Sequence, residues 1–110
     1  MTHLVDRQVA AYNARDIEAF VACFAWDVEL VDGNGNTVMT GREEMRVRYG
    51  AMFERHPDLH AEVLTRIEVG PWTIDHERTT AGGRTMEAAV AYLVRDGLIV
   101  RSILMPPLED

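Results

Sequence analysis

The sequence predicts an α+β fold with three N-terminal helices packed on a curved, mostly antiparallel sheet. Three observations carry that prediction. Apolar residues in the first half recur with helical period, interrupted by one short hairpin. Residues 59–105 alternate with strand period. Three turn signals, Gly70-Pro71, Gly82-Gly83 and Asp96-Gly97, cut that second half into a meander.

Each element has a local reason. Val5, Val9 and Tyr12 fall at i, i+4, i+7 and make one face of a helix over residues 3–14. Asp16 is placed to cap the next helix, because its carboxylate can accept free backbone N–H groups. In that helix Ile17, Phe20, Val21 and Phe24 share a face. Residues 28–32 read as a strand, Gly33-Asn34-Gly35-Asn36 as a tight turn, and residues 37–39 as the return strand. Thr40 and Glu43, three apart, match a capping box. The helix they open carries Met45, Tyr49, Met52 and Phe53 on one side and ends near His56, before Pro57. Pro106-Pro107 ends the last strand.

A chain of 110 residues corresponds to one domain, residues 1–110, able to bury a core without metal or disulfide. The formal net charge of −7 argues against nucleic acid, whose phosphates demand a basic surface, and against anionic membrane. The N-terminus is polar by Asp6, so no signal peptide is expected. Cys23 is the one cysteine, which leaves no intrachain disulfide and fits a cytoplasmic protein.

Hairpin register decides which side chains share a face, since directly opposed residues of an antiparallel pair point the same way. The Gly82-Gly83 turn sets Arg78 opposite Glu87, His76 opposite Ala89 and Ile74 opposite Ala91. The Gly70-Pro71 turn sets Trp72 by Val69, Ile74 by Ile67 and His76 by Thr65. The Asp96-Gly97 turn sets Leu93 by Val100, Ala91 by Ser102 and Ala89 by Leu104. Together they give one apolar face, Leu59, Val63, Ile67, Trp72, Ile74, Leu93, Val100 and Leu104, with His76, Arg78, Glu87 and Ser102 embedded in it. That face is expected to meet the helices and line a partly filled hole. The other face holds Glu62, Arg66, Asp75, Glu77 and Arg101 beside Leu64, Tyr92, Ile99 and Ile103. Its apolar share predicts a homodimer through the outer face of the sheet.

Several stretches resemble a known family: Ala11-Tyr12-Asn13-Ala14-Arg15-Asp16, then Phe24 to Asp32, then Thr40-Gly41-Arg42-Glu43-Glu44-Met45, and last Tyr92 to Ile99. In order and spacing they are similar to the SnoaL-like, ketosteroid isomerase-related branch of the nuclear transport factor 2-like superfamily. The resemblance covers essentially the whole chain. It implies a cone-shaped fold around a small-molecule pocket and leaves the chemistry open. It also implies that Asp32 stands where ketosteroid isomerases carry their general base, and that Tyr49 matches a buttressing tyrosine. Gln8 and Ala91 stand where the two oxyanion donors of those enzymes belong. Such donors contribute about 2.7–4 kcal/mol each, so their replacement removes the steroid isomerase oxyanion hole.

The candidate catalytic residues are then Asp32 as general base and His76 as acid or hydrogen-bond donor. Their plainer readings are a turn aspartate before Gly33 and a histidine satisfied in the core. Candidate ligand-binding residues are Gln8, Tyr49, Trp72, Ile74, Arg78, Glu87, Ala91 and Ser102. For Arg78 and Glu87 a cross-strand ion pair is the plainer reading. No HxxxH or CxxC spacing points to a metal, and no cofactor is expected. The expected partner is a small apolar or carbonyl-containing molecule. It would be either a substrate of an isomerase, cyclase or dehydratase, or the ligand of a non-catalytic binder; the remaining alternative is a self-associating domain whose pocket is vestigial.

Overall fold

A computed structural model describes residues 3–105. Helix α1 spans Leu4–Ala14 and α2 spans Ile17–Val21. Strands β1 (Phe24–Asp32) and β2 (Thr37–Thr40) form the short hairpin, and α3 (Gly41–Arg55) follows. The meander is β3 (His60–Val69), β4 (Trp72–Ala81), β5 (Arg84–Arg95) and β6 (Leu98–Met105). All six strands lie in one sheet in the order β2-β1-β6-β5-β4-β3. The β1–β6 pair is parallel and the other four pairs are antiparallel. This is the predicted α+β architecture, three helices on a curved mixed sheet. Pro106 and Pro107, expected to stop β6, lie outside the described residues.

The helix signals act as their chemistry dictates, with two adjustments. Asp16 caps α2, its Oδ1 accepting the Ala19 N–H at 3.2 Å. Phe24 opens β1 instead of extending α2, because the helix closes at Val21. At α3 the Thr40 side chain makes no capping bond. The Thr40 N–H donates to Glu44 at 2.8 Å, and the expected partner Glu43 turns to Arg46. Val5, Phe20, Val21, Val28, Met45 and Ile99 are buried where the helices meet the sheet. Tyr12, Phe20, Phe24, Tyr49 and Phe53 stack edge-to-face or tilted beside them, with Phe20 and Tyr49 centred 4.9 Å apart.

Two hairpins have the predicted register. Ile67 faces Ile74 and Val69 faces Trp72 across β3–β4. Ile74 faces Ala91 and Arg78 faces Glu87 across β4–β5. The third is one residue out: a bulge between Leu93 and Val94 pairs Ala91 with Ile103 and Tyr92 with Ser102.

The face assignment is inverted on β4 and β5. Thr73, Asp75 and Glu77 are buried toward the helices, as are Val90 and Tyr92. Trp72, Ile74, His76, Arg78, Glu87, Ala91 and Leu93 take the outward face. A bulge between Val63 and Thr65 explains how β3 serves both faces. Before it, Leu59 and Ala61 are buried inward. After it, Ile67 and Val69 point out and are more than half exposed. Inward-facing polar groups are tolerated here because they are paired, which a polarity count along one strand does not see.

Candidate functional site

A cavity of about 700 Å³ opens between the inward sheet face and the helices. That is the size range of small-molecule pockets. Its walls are mostly apolar and aromatic, with Tyr12 and Phe20 from α1 and α2, Tyr49 from α3, and Leu30, Val90 and Tyr92 from the sheet. Gln8, Glu77, Thr79 and Ser102 bring polar atoms into this lining.

The alternation along β4 sets the chemistry. Asp75 and Glu77 are two residues apart and therefore share the inward face. Asp75 is fully buried and is gripped by Arg66, whose Nε and Nη2 donate to its two oxygens at 2.7 and 3.0 Å. The third guanidinium nitrogen, Nη1, reaches Asp6 of α1 at 2.9 Å. Two carboxylates thus occupy the Arg66 guanidinium, and Glu77 is left outside that network. Its single hydrogen bond among the described residues is from the Tyr92 hydroxyl to Oε2, at 2.7 Å. Burial pushes the Glu77 carboxyl above the ordinary glutamate range. The negative charge of Asp75 adds to that rise, while the Tyr92 bond and the Arg66 charge oppose it.

Three phenols surround this acid. Burial holds Tyr92 and Tyr12 well above the ordinary tyrosine range and pushes Tyr49 up to about 12. The charge of Glu77 raises all three further. They are neutral hydrogen-bond donors at physiological pH. Gln8 lies one helical turn before Tyr12 on the same face of α1. Gln8 Oε1 and Ser102 Oγ are buried and make no hydrogen bond among the described residues. Orphaned buried polar atoms are costly, and a bound ligand can satisfy them. The far rim is tied down by Asp58, which accepts the N–H groups of Gly82 and Gly83 at 2.9 and 2.7 Å and so fixes the β4–β5 turn.

Of the residues singled out from the sequence, Gln8, Tyr49 and Ser102 line the cavity. Ser102 does so opposite Tyr92 rather than Ala91, because the β6 bulge offsets the inverted face. Trp72, Ile74, His76, Arg78, Glu87 and Ala91 do not line it. His76 is half-exposed and bonded to Glu87, which displaces the expected Arg78–Glu87 pair. Arg78 instead approaches Glu62 at 4.0 Å. Ala91 sits between Ile74 and Ile103 on the outward face, so its lack of an acid says nothing about the cavity wall. Asp32 ends β1 as expected, but its carboxylate closes the following turn. Oδ1 accepts the N–H groups of Asn34 and Asn36 at 2.9 and 3.0 Å. These bonds, that from Asn36 first, hold its carboxyl below the ordinary aspartate range, which makes it a weaker base.

Glu77, Tyr92 and Tyr12 line the cavity but are not among the candidates the sequence singles out. A signal for them was present in the register itself. The β3–β4 pairing sets Arg66 opposite Asp75, and the bulkier side of β5 is Val90, Tyr92 and Val94 rather than Ala89, Ala91 and Leu93. Among the described residues no cluster of histidine, cysteine, aspartate or glutamate could hold a metal ion. No helix among them is long and apolar enough to cross a membrane.

Helices closing a pocket over one face of a curved sheet define a protein of the nuclear transport factor 2-like class. Residues 5–102 match the SnoaL-like domain, and the chain belongs to that family. A search of the curated proteins finds no match. Among solved structures, an uncharacterized cystatin-fold protein from Novosphingobium aromaticivorans is 25% identical, with a TM-score of 0.86 over 92% of this chain and 93% of that one. A candidate ketosteroid isomerase from Kribbella flavida is 24% identical, with a TM-score of 0.80 over 97% of this chain and 77% of that one. A protein of ketosteroid isomerase-like fold from Catenulispora acidiphila, in complex with trimethylamine, is 20% identical, with a TM-score of 0.78 over 94% and 85%. The latter two likenesses are likenesses of fold.

Proposed function

We propose that the chain binds a small, largely apolar molecule in the cavity. Glu77, steered by Tyr92, exchanges a proton with that molecule, as in a cofactor-independent isomerase, cyclase or dehydratase. One observation carries this reading: a carboxyl group with a raised proton affinity stands in an aromatic cavity wall with no cation of its own. A carboxyl tuned upward by burial comes closer to the proton affinity a general acid or base needs at neutral pH. Asp32, the base expected from the resemblance, is occupied in its turn and is not assigned that role.

The test has two readouts. Steroids, terpenoids and polyketide-like aromatics are screened for a rise in Tm, and the ligands found are incubated in deuterated water. Mass spectrometry should show deuterium entering the bound ligand at its acidic carbon. Glu77→Gln should keep the Tm shift and slow that exchange by about 10²-fold or more. Equal exchange in both proteins would leave a non-catalytic binder, and a screen without hits would speak against the pocket.

We further propose that the chain is a cytoplasmic homodimer joined through the outward sheet face. Ile67, Ile74, Ala91 and Ile103 line up across four strands there, with Val69, Trp72 and Leu93 in the adjoining row. A contiguous apolar sheet face of that kind favours self-association.

A further inference from the structure

We propose that the ligand of this cavity carries a basic amine, bound as an ammonium against Glu77. This inference rests on the reading of Glu77 as the working group of the pocket and names the chemistry that group selects. Glu77 is 8% exposed, and its carboxyl has one hydrogen-bond donor, Tyr92. A carboxylate has about four lone-pair sites, so most of its accepting capacity faces no protein donor. Among the described residues no cation is hydrogen-bonded to it. Tyr92 of β5 bonds to it, Tyr12 of α1 and Tyr49 of α3 lie within reach of its charge, all three neutral, and Asp75 on its own strand is negative. Arg66 of β3 is the nearby cation, and Asp75 and Asp6 already hold it. Arg48 and Arg55 of α3 also line the cavity, but both are exposed, and Arg48 donates to the Val38 carbonyl.

An ammonium supplies what this arrangement lacks. Its charge offsets the burial that raises the proton affinity of Glu77, and its N–H groups fill the open acceptor sites of the carboxylate. Tyr12, Phe20 and Tyr49 line the same cavity, and aromatic rings attract a cation that reaches their faces. The overall charge of −7 favours the approach of a cation over that of an anion. A ketone would instead use Glu77 in its neutral form, one oxygen donating to the carbonyl while Oε2 accepts from Tyr92.

The proton balance is defined. At a pH below its folded-state midpoint free Glu77 holds its proton, the ammonium enters with its own, and the ion pair needs a carboxylate. One proton therefore leaves Glu77 for solvent on binding. Affinity for the amine should rise with pH until free Glu77 has lost its proton, and then level off.

The experiment compares three ligands of one shape, 1-adamantylamine, 1-adamantanol and 2-adamantanone, by calorimetry in buffers of different ionisation enthalpy. The expected result is a preference for the amine of about tenfold or more, with proton release at pH values below the Glu77 midpoint. In Glu77→Gln that preference and the proton release should vanish while the alcohol still binds. Preference for the ketone, or equal binding of all three, overturns the amine and leaves Glu77 as a hydrogen-bond donor. A Glu77→Gln protein that keeps the amine preference also overturns it. Failure of all three to bind overturns the amine together with the pocket reading beneath it.

Discussion

Glu77 holds its proton more tightly in the folded chain than a free glutamate does, and that difference couples its titration to stability. The folded-state value is raised, so between the ordinary value of 4.5 and the folded value the native state binds the extra proton. The contribution of the group to stability is therefore greatest below the ordinary value. It declines as pH rises through that window and stays low above the folded value. Glu77→Gln removes the titration and keeps an oxygen for the Tyr92 hydroxyl. The variant should match the wild type near pH 4.5 and become the more stable protein as pH rises toward neutrality, read from urea midpoints. A constant difference across that range would mean that Glu77 is solvated like any surface glutamate.

Strand β4 shows how much of the site was legible in the sequence, and why the rest was not. Its register against β3 and β5 followed from turn chemistry at Gly70-Pro71 and Gly82-Gly83. Its facing did not, because Trp72 and Ile74 are the apolar members and point away from the helices. The inward members Asp75 and Glu77 are buried only through partners on other strands, Arg66 and Tyr92. A register slip of one residue moves every side chain to the other face, and an inverted face assignment has the same effect. Hence the sequence pattern places His76 and Arg78 in the cavity lining and leaves Glu77 out of it. The helical half was easier: Tyr49 follows from a 3.6-residue period that α3 keeps, and Gln8 from the family resemblance. The Arg66–Asp75 pair belongs to this scale, since it clamps β3 to β4 beyond the bulge. Arg66→Met should destabilise the chain by about 3–5 kcal/mol, because it strands a fully buried carboxylate. Arg66→Met with Asp75→Leu should recover most of that loss. A single substitution costing under about 1 kcal/mol in urea titration would place Asp75 in contact with water.

At the scale of the whole molecule, the inverted facing joins the two surfaces of the sheet into one design. The inward face gives up apolar area to hold Glu77, Asp75 and Ser102. The outward face carries the apolar rows instead, with Ile67 and Val69 exposed by 56% and 59%. A dimer through that face would cover them. Sedimentation of the wild type at micromolar concentration should then give twice the chain mass, and Ile67→Glu with Ile74→Glu should give a folded monomer. A wild-type monomer would contradict the dimer without touching the pocket. Whether β4 turns Glu77 or His76 toward the helices is read most directly from the Glu77 carboxyl carbon. Its ¹³C resonance, assigned by its loss in Glu77→Gln, is followed against pH in the ligand-free protein. A midpoint clearly above 4.5 is the result expected of a carboxyl buried in the cavity wall, and a midpoint at or below 4.5 would contradict it.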